Sequence, residues 1–213
     1  MNVRNELKAM HKHMGTDKGV YGERAVLAIC EQFYQKYGGI LVHSYEYQVD
    51  PDLPGNIKKH DDGHLYIENL GTCTELDVLY VSPYRVFPIE VKSYKAKKIT
   101  LTDDGISGCK ITNKSPIHQN EMHCRHLYSF AYRFLPNGAT KYICPIVCLV
   151  DECVLEDKRS MEQREYILAT TLTNLTKVIT MNNRPLDYRI DINVADNILR
   201  EYMTKSAVYL KKV

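Results

Sequence analysis

The chain has 213 residues, with 28 lysines and arginines against 26 aspartates and glutamates, and 44% of it is hydrophobic. That length predicts one domain with a sizeable core. The near-balance of charge excludes a nucleic-acid surface built on overall basicity, so any such surface must be local. There is no apolar signal segment and no apolar run long enough for a bilayer, which predicts a soluble, cytoplasmic protein with no membrane contact.

The first expected element is a short basic helix over residues 2–14, stopped by Gly15-Thr-Asp-Lys-Gly19. Residues 20–37 place Val20, Ala25, Val26, Ile29, Phe33 and Tyr37 near helical spacing before Gly38-Gly39, which predicts a second helix with a glycine stop. Glu23 falls in its first turn, where a carboxylate suits the helix dipole. A strand is expected over 40–49, a polar Pro- and Gly-bearing turn over 50–63, and a short strand over 65–70.

Residues 74–92 carry the strongest signal. Two alternating apolar runs flank Ser82-Pro-Tyr-Arg85 and read as a β-hairpin. A loop symmetric about Pro83–Tyr84 sets Val81 against Val86 and, counting outward, Asp77 against Glu90, with Lys92 on the same face. Leu76, Val78, Tyr80, Phe87, Ile89 and Val91 then point to the other face. Pro83 cannot take the positive φ of a type I′ turn. A four-residue loop keeps this register, and a three-residue loop with a bulge shifts it by one.

Charges inside strands this apolar need a reason, because burying one unpaired costs several kcal/mol. Two opposed carboxylates resist joint ionisation unless a cation lies between them, and an oxygen-only pair suits Mg²⁺ or Mn²⁺. A neighbouring lysine could acidify an attacking water or offset charge on a phosphorane, which points to metal-dependent phosphodiester cleavage. The competing reading is a surface ladder, with Glu75 paired to Lys92 and both Asp77 and Glu90 solvated.

Downstream, Lys92, Lys95, Lys97 and Lys98 form either a solvated edge or a contact for a phosphate backbone. Residues 99–113 predict a small hairpin. Ser115-Pro116 predicts a helix start with serine as N-cap, running to about Phe134. Gln119 lies in its first turn; His118, His123 and His126 do not stack in one row and read as surface or half-buried residues. Strands are expected over 144–150 and 166–170, a helix over 173–182, and an amphipathic helix over 194–213.

The seven cysteines, Cys30, Cys73, Cys109, Cys124, Cys144, Cys148 and Cys153, are odd in number and dispersed, which predicts reduced thiols. A zinc set drawn from Cys109, His118, His123, Cys124 and His126 matches no familiar spacing. Strands interleaved with helices predict an α/β fold, a central mixed β-sheet flanked by helices.

Asp77 followed by Glu90-Val91-Lys92 resembles the PD-(D/E)XK nuclease core. The wider pattern is similar to its nuclease-related domain (NERD) branch: Gly22-Glu23 at a helix start, Leu76-Asp77-Val78-Leu79, Ile89-Glu90-Val91-Lys92-Ser93-Tyr94, and Ser115-Pro116-Ile117-His118-Gln119. Ser115 stands where that family usually has asparagine.

The resemblance implies a restriction-endonuclease-like core over 19–155, with 1–18 a helix and linker and 156–213 completing the same domain. It implies Mg²⁺ or Mn²⁺ on Asp77, Glu90 and the Val91 carbonyl, Lys92 positioning or activating water, and Glu23 and Gln119 supporting metal and phosphate. The expected substrate is DNA, with a homo-oligomer or a partner protein as a source of specificity. A non-cleaving binding module on the same fold is the main competitor, and a Cys124–histidine hydrolase ranks last.

Overall fold

The computed structural model describes residues 18–48, 57–59, 65–67, 73–109, 115–136, 139–206 and 208–213; the helix expected over 2–14 lies outside them. Helix α1 spans Lys18–Tyr37 and buries Ala25, Val26, Ile29 and Phe33, the stripe its spacing predicts. It ends where Gly38, at φ 75°, returns its N–H to the Tyr34 carbonyl at 2.9 Å. That left-handed residue closes a helix C-terminus at no steric cost.

The strands that follow are β1 (Gly39–Gln48), β2 (Ile57–Lys59), β3 (Leu65–Ile67), β4 (Cys73–Val81), β5 (Val86–Lys92), β6 (Lys98–Thr102) and β7 (Gly105–Ser107). Next come α2 (Pro116–Ala131), a 3₁₀ turn (Ala139–Tyr142), β8 (Ile146–Leu149), β9 (Val154–Asp157), α3 (Met161–Tyr166), β10 (Leu168–Thr171), α4 (Leu172–Asn182) and α5 (Ile192–Tyr202). The last strands are β11 (Met203–Lys205) and β12 (Val208–Lys212). No helix among the described residues is long and apolar enough to cross a membrane.

The main sheet has seven strands in the order β10-β8-β5-β4-β1-β11, with β12 also pairing β1. It is mixed: β10, β8 and β5 run parallel, while β5–β4, β4–β1 and β1 with the C-terminal strands are antiparallel. One face packs on α1 and α4 through Leu41, Val78, Tyr80, Phe87, Ile89, Ile146 and Cys148. The other packs on α2 and α5 through Ile40, Val42, Leu79, Val81 and Val86. A small sheet, β7-β6-β9, lies to one side, and Ile99 and Leu101 join Ile117, Val147 and Leu149 in a third cluster. The fold is therefore α/β with a central mixed sheet and flanking helices.

The hairpin register follows the symmetric loop: Val81 pairs Val86, Tyr80 Phe87, Leu79 Pro88 and Val78 Ile89. Ser82 makes that turn possible with Pro83 in it. Its N–H donates to the Arg85 carbonyl at 2.8 Å, and its Oγ accepts from the N–H groups of Tyr84 and Arg85 at 3.1 and 2.9 Å. A serine oxygen thus replaces the backbone acceptor that a tighter turn would use.

Several elements differ from expectation. Leu76 faces α2 and α5, not the α1 side of Val78 and Tyr80. The cause is in β1: Ser44 has φ 53°, a left-handed residue inside a strand, and the β1–β4 ladder skips it and Asp77. That break inverts the alternation, so Tyr45 and Tyr47 share a face with Val42. Residues 57–59, expected as turn, pair with β3.

Helix α2 stops at Ala131 rather than near Phe134, and Ser115 makes no side-chain cap bond. The helix expected over 194–213 ends at Tyr202, and the remainder forms β11 and β12 against β1, whose far edge would otherwise lie bare. Strand β9 and helix α3 were not expected from the sequence.

Candidate active site

The main-sheet ladder between β4 and β5 ends at Val78 and Ile89. One residue further out the backbone partner is replaced by a side chain: Asp77 Oδ2 accepts the Val91 N–H at 2.7 Å. The strands part there, and Asp77 and Glu90 meet at the opening.

Among the described residues Glu90 is the least exposed charge, 0% exposed on the α2 face of β5. Lys92, two residues on and 25% exposed, donates to Glu90 Oε1. Nδ1 of His123 on α2 stands 3.2 Å from Glu90 Oε2 and forms an ion pair with it. Burial works against the Glu90 charge, but His123 and Lys92 together outweigh it and hold the pKa below the ordinary glutamate value.

Asp77 behaves oppositely. Burial and the neighbouring Glu90 charge push its pKa up from 3.8 to about 7; the Val91 N–H and Lys92 pull it back, and Glu23 raises it further. The surface ladder is therefore excluded: Glu90 is not solvated, Lys92 bonds Glu90 rather than Glu75, and Glu75 is exposed.

Glu23 arrives from the α1 side. Gly22 sits against the chain just after β8, where a Cβ would lie 2.7 Å from Val150 Cγ2, so only glycine lets α1 come this close. Glu23 Oε2 bonds His43 Nε2 at 3.0 Å, and His43 pairs with Val78, next to Asp77. Gln119 is half-buried in the first turn of α2, its N–H bonded to the Ser115 carbonyl. Asn120 anchors that turn, donating to the Ile146 carbonyl at 2.9 Å.

The structure thus brings Asp77, Glu90 and Lys92 together, with Glu23 in electrostatic range of Asp77. Two residues at the cluster were missed as participants: His43, and His123, which reads in the sequence as a surface or half-buried residue and is half-buried here. Comparison with the wrong neighbours hid His123. It lies four residues after Gln119, one turn along the same helix row, and that spacing marks it.

Of the other candidates, Lys98 is taken up by an ion pair with Glu156 at 2.6 Å, while Lys95 and Lys97 are exposed. Cys30, Cys109, Cys124, Cys144, Cys148 and Cys153 are free thiols. Burial pushes the Cys124 thiol far above its usual value, as an inert core residue rather than a nucleophile. Among the described residues no three histidine, cysteine, aspartate or glutamate side chains group into a metal cage, which disposes of the zinc set.

Fold and site together define an α/β protein with a buried Glu90, a half-buried Asp77 and a lysine where an antiparallel hairpin meets a parallel strand. Residues 18–150, more than half of the chain, match the nuclease-related domain, and the chain belongs to that family. No curated protein and no solved structure matches it.

Proposed function

We propose that this protein is a Mg²⁺- or Mn²⁺-dependent deoxyribonuclease, with a restriction-endonuclease-like core and its site at Asp77, Glu90 and Lys92. One observation carries the reading: Glu90, fully buried and held ionised by Lys92 and His123, stands beside Asp77, whose proton is held to about pH 7. Such an arrangement costs the folded chain free energy unless a cation joins it. Two carboxylates and the Val91 carbonyl fit an ion that keeps several waters and takes phosphate oxygens, and that needs no all-protein cage. When bound, the ion supplies charge neutralisation at the phosphate and a more acidic water.

The chain's own groups do the rest. Asp77 and Glu90 hold the ion. Lys92, fixed by Glu90 yet reaching the solvent side, orients the attacking water or offers a proton to the phosphorane oxygens. Glu23, oriented by His43, and the Gln119 amide support water and phosphate from opposite faces of the sheet. Exposed Lys95 and Lys97 extend the contact to the DNA backbone. Water attacks in line, with no covalent enzyme intermediate.

The test is incubation of supercoiled, linear and single-stranded DNA with Mg²⁺, Mn²⁺ or EDTA, alongside Glu90→Ala and Lys92→Ala proteins. Cleavage is expected from the unmodified protein with metal only. Absence of cutting under every condition, or equal cutting by both variants, rejects the assignment.

A further inference from the structure

We infer that, on the nuclease reading proposed for this site, Tyr94 touches the substrate: its hydroxyl donates to the DNA phosphate next to the scissile one.

The strand register places the ring. Strand β5 runs parallel to β8 with Glu90 opposite Val147 and Lys92 opposite Leu149, so these four side chains share the α2 face of the sheet. Val147 and Leu149 join Ile99, Leu101 and Ile117 in the third cluster, and Tyr94 packs against it. Ile117 belongs to the first turn of α2, two residues before Gln119. Tyr94 therefore lies on the same side of the sheet as Glu90 and Lys92, over an apolar floor shared by β8, α2 and the small sheet.

The ring is anchored, yet the hydroxyl does nothing for the fold. The hydroxyls of Tyr45, Tyr47, Tyr80 and Tyr209 each donate to a group within the protein. That of Tyr94 has no hydrogen-bond partner among the described residues, and it is absent from the buried orphaned atoms because its oxygen reaches solvent. A half-buried tyrosine with an apolar body and a free polar tip is suited to an external acceptor. Burial, then Cys109 and the Glu90 charge, push its pKa up to about 12, so the phenol keeps its proton and remains a donor. The influence of Glu90 also puts the hydroxyl within electrostatic range of the proposed chemistry.

The neighbouring charges select the acceptor. Lys92 precedes Tyr94 by two residues, and the exposed Lys95 and Lys97 follow it. The hydroxyl thus stands between the lysine assigned to the scissile phosphate and those assigned to the flanking backbone. A phosphate oxygen is the acceptor that this run of donors fits.

Tyr94→Phe removes only an oxygen that bonds nothing in the folded chain, so its urea midpoint should match that of the unmodified protein. With Mn²⁺ and oligonucleotide DNA, KM should rise about 10-fold or more while kcat changes little, whereas the loss in Lys92→Ala falls on kcat. A scan of single methylphosphonates, each removing one charged phosphate oxygen, should find a position beside the cleaved bond that penalises the unmodified protein and not Tyr94→Phe. An unchanged KM, or a penalty that persists in the variant at every position, overturns the contact. Loss in Tyr94→Leu alone assigns the contribution to the ring and likewise overturns the hydroxyl contact. If no DNA is cut, the nuclease reading falls separately, and fluorescence anisotropy of the same oligonucleotides with Ca²⁺ reads Tyr94 instead. Weaker binding by Tyr94→Phe is then expected, and equal affinity of the two proteins overturns the contact.

Discussion

Asp196 and Asp77 have opposite surroundings. Asp196, on α5 and 7% exposed, accepts from Arg200 Nε at 2.9 Å, the Tyr209 hydroxyl at 2.7 Å and Lys211 Nζ at 3.1 Å. The Arg200 guanidinium also lies over the Tyr209 ring, 3.9 Å from its centroid. Burial opposes its charge, but those donors prevail and hold its pKa below the aspartate norm. This acid braces α5 against β12. Asp77 instead has its pKa raised by burial and by the Glu90 charge, while Lys92 and His123 are engaged by Glu90. Where the chain supplies enough donors a buried acid stabilises the fold; where it withholds them, the acid becomes a candidate for a ligand site.

Each side of that contrast can be broken. The largest effect belongs to the proposed site: Lys92→Ala or Glu90→Gln should lower the DNA-cleavage rate by about 10²–10³-fold or more. Asp196→Ala should do the reverse, removing about 3 kcal/mol of stability in urea unfolding while leaving the cleavage rate per folded molecule unchanged.

Asp77→Asn should make the metal-free protein more stable at pH 8, by on the order of 2 kcal/mol, and give no gain at low pH. The sign follows from the titration. Between 3.8 and about 7 the folded state keeps a proton on Asp77 that the unfolded chain has lost. Stability therefore falls as pH rises through that window. Urea unfolding of both proteins without metal at pH 5 and pH 8 checks this, and a deficit for the variant at pH 8 refutes it. The smallest effect is Gly22→Ala. Crowding of Val150 should cost about 1–2 kcal/mol and shift Glu23, lowering kcat more than it raises KM.

The hairpin was legible because its determinants are local. Pro83, Ser82 and the alternating apolar runs lie within one short segment, and they set Asp77 toward Glu90 before any tertiary contact is considered. The α1 stripe and its Gly38 stop were legible for the same reason. The C-terminal segment was not. Met203 and Leu210 stand seven residues apart, on one face of a helix, and only β1, far away in sequence, makes this segment strands. The inversion at Ser44 was equally hidden, since a left-handed serine inside a strand has no compositional mark. Within the site, His123 needed the helix row of Gln119 to expose it, whereas His43 in its strand carried no distinguishing signal.

The pairing of β1 with β12 also bears on how the chain is made. Gly39 faces Lys212, and Ile40, Leu41 and Val42, all fully buried, complete their hydrogen bonding only when that last strand arrives. The family-matched stretch ends at residue 150, before β10, β11 and β12. A nascent or truncated chain would hold one side of β1 open, an apolar template on which a second chain could add. Pairing across such a sequence separation is also slow to form. Strand β12 is thus a late-closing seam over the side of β1 that β4 leaves open.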